Sequence, residues 1–437
     1  MKLNQPLNYK MKLLLILFIL FFFKPLYALT ISQSVKSTID NNPKVQISIE
    51  KLNESKELIE NAYGQKLPSI TTTISGTYSN ADKSATTGDT TPETLTDKYK
   101  LSLSQNLYDG GINNLEINRS QILYDNEILK FQNTLQELIL NAIEGYLTVI
   151  NYKESLEANK KNYDSVLRVL EETKTRFELG SATLYDLQSA ESAFSIAETN
   201  LFIADQNYLI SKKTFKRIVG EEPLELQTLI DLNEDLIFKN VISNVNIKNY
   251  NLLILKNEIS NKKILLEKEK NTKLPSLDLS ASAEYSNAGR MDDGTESTDG
   301  TIALTLTIPI FQQNIDNSNI RKYNSQILQS ELNVEDYLAD LDIETSNLFK
   351  NYLISKSSIK TNLKRIDTIE TSIEIIKEEY DIGTKSITDL IDAESDLLDV
   401  NVTYLNAKKD YILNYFKIKA LEGNLLELFK NYIPKIN

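Results

Sequence analysis

Four segments of the chain alternate apolar with polar side chains, the pattern of a β-strand whose two faces meet different surroundings. They cover residues 69–79, 98–108, 276–286 and 301–311. A polar loop separates the first from the second and the third from the fourth, so the sequence predicts two hairpins. Such strands are long enough to cross a bilayer when tilted. A soluble sheet with one wet face is the alternative.

Apolar residues at helical spacing surround these hairpins. Helices are predicted to open each hairpin unit at residues 43–66 and 249–272. Residues 112–178 contain one glycine and no proline, and residues 315–381 contain neither, so each stretch is predicted to form a single unbroken helix. At 1.5 Å per residue, such a helix is roughly 100 Å long. Helices of this length are hard to reconcile with a small soluble sheet.

The chain repeats itself. Lys66-Leu67-Pro68-Ser69 returns in the second half as Lys273-Leu274-Pro275-Ser276, and Phe177-Glu178-Leu179-Gly180 returns as Tyr380-Asp381-Ile382-Gly383. Each glycine is a natural helix stop, and Thr183 or Ser386 can cap the returning helix that follows. The sequence therefore predicts one structural domain over residues 29–437, built from repeats at about 29–220 and 230–423. Residues 220–248 connect the two.

Residues 1–28 have the pattern of a secretory signal peptide. Lys10 and Lys12 precede an apolar run from Leu13 to Phe23, and Tyr27-Ala28 ends the segment. A membrane anchor is the alternative, but the apolar run is shorter than a bilayer-spanning helix requires and Lys24 closes it. Without this segment the chain has 44 basic and 61 acidic side chains, a net charge of −17. Nucleic acid is therefore not an expected partner.

Cysteine and histidine are both absent. No disulfide, thiolate metal site or acylated cysteine can form, and the commonest general base and metal ligand is missing. A serine or threonine nucleophile with a lysine base, or a pair of carboxylates, remains open, but the sequence has no glycine elbow and no phosphate-binding loop. We therefore expect neither an enzyme nor a resident metal or cofactor.

Four strands cannot close a barrel, and unpaired strand edges are costly in lipid. Two copies would supply eight strands and a filled interior, whereas three copies would supply twelve and leave a lumen. Small serine and threonine side chains on the polar faces favour the open version.

Three features together resemble the TolC family of outer membrane efflux proteins. They are the paired Leu-Pro-Ser strand starts, the junction Ile308-Pro309-Ile310-Phe311, and the segment from Tyr380 to Ala393 that reads YDIGTKSITDLIDA. The resemblance implies an α+β membrane protein: long antiparallel helical hairpins forming an α-barrel tunnel, with four strands contributed to a trimeric, twelve-stranded transmembrane β-barrel. The chain departs from the family's pattern in two ways. It has Gln313-Asn314 where its first repeat has Gly110-Gly111, and it has no tryptophan.

The resemblance also implies a function and partners. The expected protein is a homotrimer in the outer membrane, with its helical tunnel in the periplasm. It would export proteins or small toxic molecules, by type I secretion or drug efflux. Its partners would be outer membrane lipid, a periplasmic membrane-fusion adaptor, and an inner membrane pump driven by ATP or protons. The missing cysteine matches the unacylated branch of the family.

By the same resemblance, the helix turns carry the periplasmic gate. Tyr380 and Lys385 of the second repeat are expected near Tyr185 and Asp186 of the first, with Lys385 in place of the family's arginine. A lysine lacks the bidentate fork of arginine, so this latch is expected to be weaker. A solvated helix end, with Lys385 near a helix dipole, is the alternative.

Acidic residues form a stripe on the returning helix of the second repeat. Asp389 and Asp392 share one face of this helix, and Asp396 and Asp399 continue it. Inside a threefold tunnel, Asp389 and Asp392 would form rings of carboxylates that select cations. On an isolated helix the same stripe would be only a wet face.

Two other classes of protein fit parts of the pattern. A periplasmic coiled-coil adaptor or structural rod without a pore would explain the helices and leave the repeated hairpins unused. A plain porin would explain the strands and leave the long helices unused.

Overall fold

The computed structural model describes residues 28–79, 94–228, 232, 236–290 and 293–434. The predicted signal peptide, apart from its last residue, lies outside these ranges. The elements of the first repeat are α1 (Ile31–Asn41), α2 (Pro43–Gly64), β1 (Ser69–Ser79), β2 (Thr94–Tyr108), α3 (Ile112–Glu178) and α4 (Leu184–Val219). Those of the second are α5 (Phe238–Lys248), α6 (Tyr250–Asn271), β3 (Ser276–Arg290), β4 (Asp293–Thr307), α7 (Ile315–Asp381) and α8 (Ile387–Leu421). A short helix, α9 (Leu425–Leu428), and a 3₁₀ turn (Lys430–Tyr432) follow.

The long helices begin and end where the sequence predicts, because neither contains a proline and only Gly145 of α3 is a glycine. α3 and α7 both contain 67 residues. Thr183 and Ser386 are the N-caps of α4 and α8. The opening helices are slightly shorter than expected, since α2 ends at Gly64 and α6 runs from Tyr250 to Asn271.

Each repeat contains a short first helix that the sequence analysis does not predict. The segment at 220–248, predicted to be a connection, contains α5. Phe238, the first residue of α5, follows Ile31, the first residue of α1, at the same interval at which Lys273 follows Lys66. The two helices are therefore counterparts, and each repeat opens with a short helix before its longer one.

Strand boundaries differ from the prediction at 301–311. The fourth strand ends at Thr307 because Pro309 has no backbone N–H to donate to a ladder. It starts at Asp293, and β2 and β3 also extend further into the predicted loops than expected. β1 has the predicted bounds.

The four strands form one antiparallel sheet in the order β1-β2-β3-β4. Its register places apolar residues opposite one another, for example Ile74 opposite Tyr99 and Leu279 opposite Leu304. Large apolar side chains on this face are exposed: Ile70, Ile74, Tyr78, Leu95, Tyr99, Leu101, Leu107, Tyr285, Ile302, Leu304 and Leu306.

The opposite face of the sheet is polar. Lys98 Nζ lies 3.2 Å from Glu284 Oε1, and Lys100 Nζ lies 3.7 Å from Glu284 Oε2. Asn106 Nδ2 donates a hydrogen bond of 2.8 Å to Asp278 Oδ1 on the same face. The sheet thus has an exposed apolar side and a charged, hydrogen-bonded side.

Contacts divide the chain into two compact units, each with parts of both repeats. Among the described residues, the first unit covers 28–46, 134–249 and 341–434, and the second covers 47–133 and 250–340. In the second unit, polar side chains join α3 to α6: Asn257 Nδ2 donates to Asn126 Oδ1 at 2.8 Å, and Arg119 Nε donates to Asn261 Oδ1 at 3.2 Å.

The core of the first unit is built where α3, α4 and α8 meet. Tyr146 packs near Phe215, and both are buried with Ile139, Ile143 and Ile418. The Tyr146 hydroxyl donates to the carbonyl oxygens of Leu29 and Gln227, at 2.7 and 2.9 Å. Burial raises the pKa of Tyr146 to about 12. None of the helices in the described part of the chain combines the length and hydropathy needed to cross a bilayer.

Candidate functional site at the helix turns

Two short turns, α3 to α4 and α7 to α8, carry the residues singled out by sequence. Gly180 and Gly383 stand at φ +75° and +78°, which side chains with a Cβ rarely adopt. Each glycine N–H donates to a carbonyl of the preceding helix, Gly180 to Phe177 O at 2.9 Å and Gly383 to Tyr380 O at 3.0 Å. No atom of the described residues lies close enough to exclude a Cβ at either position, so the dihedral angle is the requirement.

A capping box follows each turn. Thr183 N and Oγ1 donate to Asp186 Oδ2 at 2.8 and 2.7 Å, and Asp186 N donates back to Thr183 Oγ1 at 3.2 Å. Ser386 and Asp389 repeat this arrangement at 2.9, 2.7 and 3.2 Å. Two of the predicted site residues, Asp186 and Asp389, are therefore fixed against the first turn of their own helices.

The environment of Asp389 favours its ionised form. Hydrogen bonds from the hydroxyl and backbone N–H of Ser386 lower its pKa, and the nearby charge of Lys385 contributes. Lys385 Nζ lies 4.0 Å from Asp389 Oδ1, and both side chains are exposed. Asp392, Asp396 and Asp399 continue along α8, as the spacing predicts.

The predicted gate residues do not meet within one chain. Among the described residues, no ion pair joins Lys385 to Asp186, and Tyr185 is exposed. Tyr380 instead packs beside a small core made by Val169 of α3 with Ile387 and Leu390 of α8. Contacts of the gate across copies remain a prediction.

An arginine that the sequence pattern does not reveal joins the two turns. Arg176 Nη2 donates to Asp381 Oδ1 at 2.7 Å and to Glu172 Oε1 at 2.7 Å. Its guanidinium carbon stands 4.5 Å from the centre of the Tyr380 ring. This cluster of Arg176, Tyr380 and Asp381, the tip clamp, binds the end of α3 to the end of α7. Comparing the repeats cannot find it, because the counterpart of Arg176 is Glu379.

Polar side chains set the packing of α3 against α8 above the turns. Asn151 Nδ2 donates to Asn406 Oδ1 at 3.0 Å. Ser165 Oγ donates to Glu394 Oε1 at 2.6 Å, and Asn162 Nδ2 donates to the Glu394 carbonyl oxygen at 3.3 Å.

A cavity of about 530 Å³ lies between α3 and α8 and is lined mainly by charged and amide side chains, including Glu157, Lys161 and Arg168.

Comparison with known proteins gives one consistent result. The profile of the family described as outer membrane efflux protein matches residues 35–221 and 267–424. The outer membrane protein TolC of Escherichia coli is 23% identical over 410 residues, which cover 89% of this chain and 80% of TolC. The alkaline protease secretion protein AprF of Pseudomonas aeruginosa is 20% identical over 430 residues, covering 94% and 88%.

Solved structures agree on the fold. The CmeC outer membrane channel of Campylobacter jejuni superposes with a TM-score of 0.79 at 18% identity, covering 92% of this chain and 89% of CmeC. CusC superposes with a TM-score of 0.76 at 14% identity, covering 90% and 92%. Long helical hairpins joined to four antiparallel strands are common to all three.

Proposed function

Because this chain belongs to the outer membrane efflux protein family, we propose that three copies form one channel in which every helix turn described above lies at the periplasmic entrance. Membership makes the chain an outer membrane efflux channel of the TolC type and not an enzyme. Beyond family membership, we propose four properties: the number of copies, the gate, the ion selectivity and the partners.

One observation carries the trimer: a sheet with an exposed apolar face that has β1 and β4 as its edges. In lipid, backbone groups at strand edges must be paired by another strand. Pairing β4 of one copy with β1 of the next satisfies both edges, and three copies close twelve strands around a lumen. The polar face, with Lys98, Lys100 and Glu284, then faces water inside the barrel.

Membrane fractionation and crosslinking test this arrangement. The protein should fractionate with the outer membrane and migrate as a heat-sensitive oligomer, and crosslinking should yield products up to three chains. A ladder that ends at two chains contradicts the trimer. A soluble monomer would instead suit the rod without a pore.

The gate is proposed to form between copies, since its residues do not meet within one. Lys385 of one copy would approach Asp186 and Tyr185 of its neighbour. Tyr380 would stabilise the turn between α7 and α8 by packing against the small core beside it. Replacing Tyr380→Phe together with Lys385→Ser should raise single-channel conductance several-fold. If conductance is unchanged in fully assembled trimers, the latch lies elsewhere.

Asp389 and Asp392 are proposed to line the narrowest part of the tunnel. Three copies bring six carboxylates together there. These carboxylates attract cations, and they attract multivalent cations most strongly. Block of the conductance by trivalent ions added on the periplasmic side supports this role. Changing both residues to Ala should relieve most of the block while the trimer still assembles.

The proposed partners are a periplasmic adaptor and an inner membrane pump. Support comes from two relatives, of which AprF is named for secretion of a protease and BepC of Brucella suis for efflux. The cargo of this channel is accordingly a protein or a small toxic molecule. Mass spectrometry of complexes captured from intact cells after crosslinking would identify the adaptor and pump, and through them the class of cargo.

A further inference from the structure

The motif that is repeated at the strand starts has no part in the gate or in the ring of carboxylates. Lys66-Leu67-Pro68-Ser69 leads into β1, and Lys273-Leu274-Pro275-Ser276 leads into β3. Because β1 and β3 run in the same direction within the sheet, both lysines lie at the same end of it. We call this end, from which the chain continues into α3 and α7, the helix end. The opposite end is the hairpin end.

Each lysine is held against the long helix that follows its hairpin. Lys66 Nζ donates to Asn114 Oδ1, and Lys273 Nζ donates to Asn317 Oδ1 at 2.6 Å. Both asparagines are exposed and lie in the first turn of α3 or α7. Among the described residues, no carboxylate forms an ion pair with either lysine. An amide oxygen has no charge with which to neutralise an ammonium group, so both lysines can still attract an anion.

Large apolar side chains are exposed at the helix end of the sheet. Tyr108 is the last residue of β2, and Ile308, Ile310 and Phe311 follow the end of β4. Ile310 is 94% exposed, and Phe311 is 80% exposed. These residues continue the apolar surface of the sheet beyond its last ladder pair. Contiguous exposed apolar surface of this kind marks contact with a membrane or a partner.

Gln105 joins Lys66 to the apolar side of the sheet. Gln105 follows Leu101 and Leu103 at intervals of two residues, so it belongs to the apolar face of β2. Its Nε2 donates to the Lys66 carbonyl oxygen at 3.2 Å. The backbone of Lys66 therefore lies beside the face that meets lipid.

Charge distinguishes the two ends of the apolar face. Asp97 of β2 lies two residues beyond Tyr99 toward the hairpin end, and Glu296 of β4 lies on the same face near that end. Their carboxylates would repel a phosphate group. The helix end has Lys66 and Lys273 instead, so an anionic headgroup is favoured at the helix end only.

We propose that Lys66 and Lys273 bind the phosphate headgroups of anionic phospholipid in the periplasmic leaflet of the outer membrane. This inference rests on the proposed channel, which places α3 and α7 on the periplasmic side, and it names the lipid chemistry that this surface selects. Each lysine lays its apolar stem along the end of the apolar face and holds its ammonium group at the level of the phosphates. Two lysines in each of three copies make a ring of six around the barrel.

The exposed apolar residues favour a phospholipid over a free anion. Inorganic phosphate would meet only the charge of the lysines, whereas a phospholipid also covers Ile310 and Phe311. A lysine near an anionic lipid surface strengthens binding roughly fivefold, before screening by salt. The ring should therefore prefer anionic over zwitterionic phospholipid.

Lipid retained by the purified trimer tests the proposal. The protein is assembled in nanodiscs of phosphatidylethanolamine and phosphatidylglycerol, transferred to detergent, and examined by native mass spectrometry. The parent should retain phosphatidylglycerol several-fold more than phosphatidylethanolamine. Lys66→Gln combined with Lys273→Gln should lose most of this preference. The matched control, Lys213→Gln with Lys239→Gln, removes the same charge from two exposed lysines of α4 and α5 and should keep it.

Competition with other anions checks the identity of the ligand. Inorganic phosphate should raise the melting temperature of the trimer in detergent less than phosphatidylglycerol does. Equal rises would mean that the lysines form a free-anion site and would overturn the lipid assignment. A preference for lipid A over phosphatidylglycerol that depends on the same lysines would overturn the assignment to the periplasmic leaflet.

Further variants separate the charge of the lysines from their contacts with the asparagines. Arginine at both positions keeps the charge and should keep the preference for phosphatidylglycerol. Each single Lys→Gln variant should lose part of the preference, which keeps the test decisive if the double variant assembles poorly. If every variant retains lipid as the parent does, or the parent retains both lipids equally, the lysines do not select lipid.

Conductance of the same samples separates this inference from the channel itself. The glutamine variants should conduct as the parent does, because the lysines are proposed to lie outside the barrel. Channels of parental conductance with unchanged lipid retention overturn the lipid site and leave the channel standing. If the parent forms no trimer and no channel, the proposed function fails first.

Discussion

Ser386 favours the ionised form of Asp389. Its hydroxyl and backbone N–H both donate to the Asp389 carboxylate, which lowers the pKa of Asp389 and keeps it ionised in more acidic solution. Neighbouring carboxylates in a ring would oppose this effect by favouring protonation. The capping box therefore extends the pH range over which the proposed ring stays charged.

We expect Ser386→Ala to weaken trivalent-ion block at a higher pH than in the parent channel. Because the pKa of Asp389 is lowered, its carboxylate stays charged until the pH falls to that pKa. Removing the Ser386 hydroxyl raises the pKa of Asp389, so the carboxylate loses its charge at a higher pH. The measurement is block as a function of pH in planar bilayers. Thr183→Ala, which removes the matching cap of α4 without touching Asp389, should leave the pH dependence unchanged.

Arg176 joins the end of α3 to the end of α7 through Asp381 and Tyr380. Because this contact joins α3 to α7, separating the two hairpins would break a hydrogen-bonded ion pair and a cation–π contact together. Arg176→Ala should accordingly raise single-channel conductance. Glu172→Gln, which alters only the partner within α3, should have little effect, and equal effects from both variants would mean that the tip clamp does not hold the turn.

Reversing the tip clamp provides the rescue. Arg176→Asp combined with Asp381→Arg should return conductance toward that of the parent, although the Tyr380 contact is lost. A double variant that conducts as freely as Arg176→Ala would show that the ion pair is not what closes the turns.

The residues of the turns were only partly predictable from sequence. Sequence reasoning named Tyr380 from a motif but missed Arg176, because side chains that meet only after folding leave no periodic signal. It also missed that Asp186 and Asp389 are occupied by their own helix caps, although the Thr-x-x-Asp and Ser-x-x-Asp spacings carry that information.

Glycines at the junctions of elements serve two different physical purposes. Gly110 stands at φ +72°, and a Cβ there would lie 2.9 Å from both Asn271 O and Leu274 Cβ. Gly180 has nearly the same φ and open space around it. The first position requires both the dihedral angle and the absence of a side chain, whereas the second requires only the dihedral angle.

Gly110→Ala should therefore destabilise the protein more than Gly180→Ala. Left-handed backbone costs roughly 1–2 kcal/mol for a residue with a Cβ, and both variants carry that cost. Overpacking adds typically about 1–3 kcal/mol at Gly110 alone. Thermal unfolding followed by helical circular dichroism would compare them, and equal melting temperatures would contradict the crowding at Gly110.

Element boundaries were predictable where one local rule decides them. α3 and α7 contain no proline, only α3 contains a glycine, and each ends close to a glycine, so their limits follow from sequence. The fourth strand was misplaced because its apolar pattern continues through Ile308 and Ile310, while Pro309 ends the ladder. α5 was missed since its polar residues, such as Asn240 and Asn244, weaken the apolar period of a short helix.

At the scale of the molecule, the exposed apolar face of the sheet suits the protein to the outer membrane. Leu101 and Ser102 are adjacent in β2 and point to opposite faces, with Leu101 exposed on the apolar side. Arginine on the lipid face of a transmembrane barrel costs about 2–4 kcal/mol at the bilayer midplane. The two positions therefore make a matched pair.

Leu101→Arg should lower the amount of assembled protein in the outer membrane, while Ser102→Arg should insert normally and change ion conductance. Immunoblotting of membrane fractions and bilayer recordings measure the two effects. If Leu101→Arg inserts normally and Ser102→Arg is missing from the outer membrane, the face that carries Ser102 contacts lipid and the assignment of the two faces is wrong.

Duplication within the chain reduces the symmetry of the proposed ring. Three copies present six similar helix hairpins, which alternate between the first repeat and the second. Only hairpins from the same repeat must be identical. Positions can therefore diverge between the two classes, as Arg176 has from Glu379 and Lys385 from Ala182. A sixfold assembly of half-length chains would repeat each change six times and could not contain two different classes of hairpin. The covalent link between repeats is what allows an entrance with two different kinds of helix turn to be encoded in a single sequence.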